Sequence, residues 1–122
     1  MKPLRILLVD DDALIGSLLT EMLEAMGHVV CGLEATEAGA VQAGLQARPD
    51  LMIVDAQLGE GSGLAAVDAI WTVAAVPHIF MSGAELPNGR RPAVVLRKPF
   101  LYKDLVSAIG SATRTEPAAT GG

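Results

Sequence analysis

Leu4-Arg5-Ile6-Leu7-Leu8-Val9-Asp10-Asp11-Asp12 joins a short apolar run to three consecutive aspartates, and its reading decides the fold. A run of this kind, apolar almost without alternation, is the pattern of a strand covered on both faces. Ile15, Leu18, Leu19, Met22, Leu23 and Met26 then recur at spacings of three and four, one face of a helix that Gly27 stops. The same alternation continues along the chain. A second strand over 28–33 precedes a helix over 36–47, with Thr36 as its N-cap and Pro49 just beyond its end. A third strand over 50–54 ends at Asp55, and the loop Gly59-Glu60-Gly61-Ser62-Gly63 leads to a helix near 64–74 that Pro77 closes. A fourth strand is expected at 78–81 and a fifth at 93–97, followed by Lys98-Pro99-Phe100. The last helix, near 102–113, is expected to turn Leu105, Val106, Ile109 and Ala112 inward. Only between Ser82 and Val94 does the rhythm fail. Gly83, Pro87, Gly89 and Pro92 leave no room there for a full helix, so the fourth helix of the alternation is expected to be short or absent.

Composition narrows the class. The chain has 122 residues, enough for one domain. It is 51% hydrophobic but only 3% aromatic, so Leu, Ile, Val, Ala and Met must fill the core. A net charge of −5 argues against a generic nucleic-acid binder, which presents a basic face. Cys31 has no partner for an internal disulfide and reads as a small buried hydrophobe in a reducing compartment. The apolar run at the N-terminus is too short for a signal peptide, and nowhere do about 20 apolar residues follow one another, as a membrane span requires. A soluble, cytoplasmic domain over 1–113 is expected, with a disordered tail at 114–122 that lacks apolar periodicity. Trp71 reads as core. His28 and His78 open strands at the rim opposite the aspartates, without ligand-spaced partners, and read as structural.

Strand–helix alternation implies parallel strands joined by right-handed crossovers, with helices on both faces. In such a sheet the ligand site lies at the carboxyl ends of the strands. Those ends carry Asp10-Asp11-Asp12, Asp55, Ser82 and Lys98. Clustered carboxylates repel unless a cation offsets them, and a hard divalent ion with oxygen ligands, magnesium, is the natural one. Beside it, Asp55 can act as a nucleophile toward phosphorus. Lys98 can pair with Asp55 and then with a phosphoryl oxygen, and Ser82 offers a hydroxyl to another. Each residue alone has a plainer reading: Asp10 or Asp11 as a helix cap, Asp55 as the start of an Asx turn, Ser82-Gly83 as a turn pair, Lys98 as a solvated charge. Asp12 is assigned to the cap rather than to metal. The set carries the argument, because each member closes the strand where the fold would need it.

The set resembles the response-regulator receiver family, over about 1–113. The matching motifs are Ile6-Leu7-Leu8-Val9-Asp10-Asp11-Asp12 and Asp50-Leu51-Met52-Ile53-Val54-Asp55, then Leu58 and Ser62-Gly63, Ile79-Phe80-Met81-Ser82-Gly83, and Lys98-Pro99-Phe100. The resemblance implies a flavodoxin-like, doubly wound five-stranded parallel sheet of order 2-1-3-4-5. It implies Asp10 and Asp11 as the acid pocket, Asp55 as phosphoacceptor, the backbone carbonyl of Gln57 as a metal ligand with Mg2+, Ser82 as switch hydroxyl and Lys98 as the family lysine. The implied partner is a sensor histidine kinase or a histidine phosphotransfer protein, in a two-component system or phosphorelay. The protein would be no enzyme in the usual sense, only assisting its own phosphorylation and slow dephosphorylation.

Three departures stand out. Gly59 replaces the usual proline after the phosphoacceptor, which should leave that loop more mobile. Val95 occupies the position of the family's switching aromatic. The short 83–92 segment looks like that of receivers attached to hybrid histidine kinases, or of single-domain receivers, and its reordering is the expected route for the signal. No DNA-binding output domain is expected after 113, leaving protein contact, onward phosphotransfer or a phosphate sink as outputs. A magnesium phosphohydrolase with an aspartate nucleophile is the rival: Asp10 and Asp12 match its Asp-x-Asp spacing, but the chain has no room for its cap segments. A pseudo-receiver that only binds is opposed by the complete set Asp10, Asp11, Asp55, Ser82 and Lys98.

Overall fold

The computed structural model describes residues 2–83, 86 and 94–114. Along them run β1 (Arg5–Val9), α1 (Ala13–Ala25), β2 (Val29–Glu34), α2 (Glu37–Ala47), β3 (Leu51–Asp55), α3 (Gly63–Trp71), β4 (His78–Ser82), β5 (Val94–Arg97) and α4 (Tyr102–Thr113). The five strands form one sheet in the order β2-β1-β3-β4-β5, all pairs parallel. This is the flavodoxin-like order expected from the sequence.

The two-residue pleat of each strand divides the core between the faces. Ile6, Leu8, Leu51, Ile53, Ile79, Met81 and Leu96 pack against Leu19 and Leu23 of α1 and Leu105, Ala108 and Ile109 of α4. Leu7, Val9, Met52, Val54 and Phe80 pack against Ala40 of α2 and Ala66, Val67 and Ile70 of α3. Full burial of each large aliphatic side chain stabilises the fold by about 1.5–3 kcal/mol, which explains why the strands are apolar throughout. The helices start where polar side chains satisfy their first amides. Asp12 accepts from Leu14 and Ile15, Thr36 from Gly39, and Ser62 from Ala65. At the other end of α1, Gly27 has φ 95° directly after the cap residue Met26, the left-handed turn that stops the helix.

Some sequence expectations need correction. Leu18 is 50% exposed and Val106 39%, because the inward stripes of α1 and α4 are set by Leu19–Leu23 and Leu105–Ile109 and leave these two at the margin. Trp71 is 40% exposed rather than core. It is the last residue of α3, where it meets His78 edge-on at 5.6 Å. The helix ends there, before 74, as the amides of Val73 and Ala74 both turn back to the Ile70 carbonyl. Cys31 is partly buried against the second core face, as a free thiol. The reduced helix expected in 83–92 and the disordered tail expected at 114–122 fall on 84–85, 87–93 and 115–122, outside the described residues. Leu86, between them, packs against the second core face.

One glycine couples the fold to the strand ends. Gly63, the buried first residue of α3, donates its amide to the Ala56 carbonyl at 3.1 Å. A methyl group there would overlap the Asp55 carbonyl oxygen and lie 2.7 Å from Val54 Cγ1. Gly63→Ala should therefore destabilise the protein by about 1–3 kcal/mol, the usual cost of overpacking, read as a lower urea midpoint at unchanged slope.

Candidate functional site

The sheet order brings four distant strand ends together. Strand β3 lies between β1 and β4, in register Val9↔Val54 and Asp55↔Met81, so the chain leaving β1 passes beside Asp55. Strand β5 pairs Ser82 with Arg97, and the Lys98 amide continues the ladder to the Ser82 carbonyl at 2.9 Å. The Lys98–Pro99 peptide is cis. Continuing the pleat, Asp10, Asp55 and Lys98 fall on the α1/α4 side of the sheet, with Ile6, Leu8, Ile53 and Leu96.

The geometry is tight. Lys98 Nζ lies 2.9 Å from Asp55 Oδ2 and 3.7 Å from Asp10 Oδ2. Oxygen atoms of Asp10, Asp11 and Asp55 all lie within 4.8 Å of one another. Asp55 is 9% exposed and Asp10 3%, whereas Asp11 is exposed. Asp55 Oδ1 accepts from the Gln57 amide at 3.1 Å, and Asp10 Oδ1 from the Asp12 amide at 2.8 Å. Asp10 Oδ2 is buried and accepts no hydrogen bond, with only the more distant Lys98 charge beside it. Ser82 is buried at the end of β4, one residue past the partner of Asp55. Asp12, as the sequence indicated, faces away into its helix cap.

Burial pushes the Asp10 carboxyl above its ordinary range. The Asp12 amide and the Lys98 charge work against that shift, and the Asp55 and Asp11 charges add to it. For Lys98, burial pulls the ammonium down, but the bond to Asp55 and the charges of Asp10 and Asp55 outweigh it and hold its pKa above the usual value. Three carboxylates thus share one ammonium, and an additional cation is what the donor set lacks.

The loop after Asp55 is tied at both ends. The Gly59 amide donates to Asp11 Oδ2 at 2.6 Å, a bond that a proline could not make. At the far end of the loop the Glu37 amide donates to the Glu60 carbonyl at 3.1 Å, and Glu37 Oε1 accepts from the Ser62 amide at 2.9 Å. Sequence reasoning missed Glu37, whose only visible signal was an acid in the first turn of a helix. Both histidines make contacts within the fold. His28 Nδ1 accepts from the Leu4 amide at 3.1 Å, and His78 packs edge-on to Trp71 and Phe80. Val95 is 38% exposed and sits opposite Phe80 in the β4–β5 register.

The Asp10 shift has a testable sign. A carboxyl whose pKa is raised on folding binds protons more tightly in the native state, so its contribution to stability falls as pH rises from the ordinary value of 3.8 through the raised value. Asp10→Asn should accordingly stabilise the metal-free protein at pH 7. The gain should disappear in urea melts taken below pH 3.8.

Comparison with known proteins agrees with this geometry. The family model described as the response regulator receiver domain matches residues 6–109. The chain is 34% identical over 113 residues to the phyllosphere-induced regulator PhyR of Methylorubrum extorquens, covering 88% of this chain and 42% of that protein. It is 32% identical over 113 residues to the transcriptional regulatory protein PdtaR of Mycobacterium tuberculosis, covering 88% and 55%. The chain thus spans about half the length of these curated relatives. Among solved structures, the receiver domain of Erythrobacter litoralis PhyR superposes with a TM-score of 0.82 at 31% identity, covering 92% of this chain and 91% of that one. PhyR of Brucella abortus gives 0.84 at 29% identity, covering 92% and 48%. The match runs from the first strand to the last helix, and its strand ends carry the acidic and basic groups described above: the chain belongs to the response regulator receiver family.

Proposed function

We propose that this protein accepts a phosphoryl group on Asp55 from a phosphohistidine of a sensor histidine kinase or histidine phosphotransfer protein, in a two-component or phosphorelay system. The observation that carries the reading is the convergence of Asp55, Lys98, Asp10 and Asp11 at the carboxyl edge of the sheet. An Asp55 oxygen forms a bond to phosphorus while the bond from phosphorus to the donor imidazole breaks, and the imidazole leaves. Lys98, already 2.9 Å from the carboxylate, is in reach of a phosphoryl oxygen attached to it. Ser82 offers a hydroxyl from the neighbouring strand. The protein acts as a signalling phosphoacceptor rather than a turnover enzyme, and water slowly hydrolyses the acyl phosphate, releasing inorganic phosphate and restoring the Asp55 carboxylate.

Magnesium fits the donor set: Asp10, Asp11 and Asp55, with the backbone carbonyl of Gln57, would hold it. Asp10 Oδ2, buried without a hydrogen bond, supports this assignment. When bound, the ion offsets the carboxylates and the negative charge of the transferred group.

A docking surface lies next to this chemistry. An apolar groove lined by Ile15, Leu18, Met22, Phe100, Leu101 and Tyr102 runs between α1 and the start of α4, with Lys98 at its head. Leu14 is 81% and Leu101 62% exposed, an unusual display of aliphatic surface suited to a helix that presents a histidine. For the output, PhyR of Bartonella quintana, 31% identical, is described as an anti-anti-sigma factor. A protein contact of that kind, with an anti-sigma factor as the partner class, is the output proposed here, without direct contact to nucleic acid or membrane. A cytoplasmic setting follows from the phosphohistidine donor.

Incubation with Mg2+ and acetyl phosphate should give a single phosphoryl adduct by intact mass, and Asp55→Asn should abolish it. Lys98→Ala should slow adduct formation by about 10²-fold, the usual effect of removing one group that stabilises transition-state charge. Persistence of the adduct in Asp55→Asn would sink the assignment, and steady turnover of phosphomonoesters would favour a hydrolase.

A further inference from the structure

Glu37 lies outside the strand-end cluster, yet it holds the loop on which that cluster depends. We infer that Glu37 is a positioning residue for the phosphoacceptor site: from the first turn of α2 it clamps the loop after Asp55 and thereby sets the Gln57 carbonyl and the Asp55 carboxylate. The inference rests on the reading of Asp55 and the magnesium site proposed above.

A chain of bonds carries the effect. Glu37 Oε1 accepts from the Ser62 amide at 2.9 Å, across 25 residues of sequence. Its own amide donates to the Glu60 carbonyl at 3.1 Å, and Thr36 pairs with Glu60 in a parallel bridge. Across the antiparallel bridge that sets Ser62 opposite Gln57, the Gly63 amide donates to the Ala56 carbonyl at 3.1 Å, and the Gln57 amide donates to Asp55 Oδ1 at 3.1 Å. The Ala56–Gln57 peptide thus accepts from the loop through its carbonyl and donates to the nucleophile through its amide. The Gln57 carbonyl, proposed as a metal ligand, begins the next peptide of the same loop. A bond from a carboxylate to an amide is charge-assisted and about twice as strong as a neutral one, so this anchor outranks the loop's backbone contacts.

The plainer reading is an acid that complements the helix dipole. A side chain serving only that purpose would not need its carboxylate against a distant loop. The loop is also shaped to admit it. Gly61 has φ 95°, and a methyl group there would lie 2.5 Å from Glu37 Cβ and 2.6 Å from Oε1. The absence of a side chain at 61 is thus what lets Glu37 approach. Asp11 holds the loop at Gly59 in the same way, but it belongs to the site itself, whereas Glu37 serves only through the loop.

The test uses the full chain with Glu37→Ala, Glu37→Gln and Gly61→Ala, each checked by thermal melting. In Glu37→Ala, amide exchange of Gly59–Gly63 in metal-free protein should accelerate, and the Mg2+ dissociation constant from titration calorimetry should rise about 10-fold, the lower bound for losing a partner that orients a ligand. The rate of adduct formation from acetyl phosphate should fall at limiting Mg2+ and return near wild type at saturation. Glu37→Gln keeps an acceptor oxygen and should restore most of the affinity; Gly61→Ala should reproduce the loss from the loop side. Wild-type exchange and Mg2+ affinity in Glu37→Ala would overturn the inference. Equal losses in Glu37→Ala and Glu37→Gln, with both melting points lowered together, would overturn it in favour of a structural role. If wild-type protein neither bound Mg2+ nor formed an adduct, the reading of the Asp55 site would fall, whereas the exchange data would still judge the clamp by itself.

Discussion

Three carboxylates held against one ammonium at the carboxyl edge of a parallel sheet set the terms for the rest of this molecule. Asp10 and Asp55 are buried there, Asp11 is close by, and Lys98 alone among the described residues brings a positive charge into contact with them. Burial of like charges is costly, and Asp10 Oδ2 is buried without a hydrogen bond from the protein to soften it. Such an arrangement persists only because the apolar strands behind it bury enough surface to offset the cost. The raised Asp10 carboxyl is the local mark of that tension. In the proposed chemistry the same tension is useful: a site short of positive charge favours a divalent cation, and a cation beside Asp55 favours a phosphoryl group.

The sheet serves as a frame for this cluster. Pleating assigns alternate residues to opposite faces, so Ile6, Leu8, Ile53 and Leu96 enter the core under α1 and α4 while Asp10, Asp55 and Lys98 continue the same rows beyond it. Packing and chemistry thus lie on the same lines of side chains. A change in strand register by one residue would turn both inside out. The apolar groove beside Lys98 lies on this side of the sheet as well, so the proposed docking helix and the proposed phosphoacceptor would lie within reach of one another.

The opposite face carries a different set. Phe80 is buried there next to Val95, the residue that stands where related receivers commonly have a switching aromatic. A valine cannot rotate a ring from an exposed to a buried position, so in the proposed function a change passing through Ser82 would travel by backbone or by helix displacement. The loop after Asp55 offers one firm element for such a change, since Asp11 and Glu37 tie it to two different helix starts. A loop tied at both ends moves as a unit with what it is tied to.

Much of this was legible from residues alone. The unbroken apolar strands, the helix periodicities, the caps at Asp12 and Thr36 and the stop at Gly27 are local signals, governed by backbone sterics and by burial within one element. Together with the polar residues at the strand ends, they determined the fold class and the membership of the candidate site. Trp71, Leu18 and Val106 were misread as core because periodicity marks a stripe, while neighbouring elements decide how wide a stripe is covered. The clamp of Glu37 on Ser62 and the bond from Gly59 to Asp11 were invisible for a related reason. Each joins groups far apart in sequence, one of them always a backbone amide, and a backbone amide has no letter of its own. By itself the sequence determined which chemistries the strand ends carry. The tertiary structure alone decided how the loop between them is held, because that depends on distances only the folded chain creates.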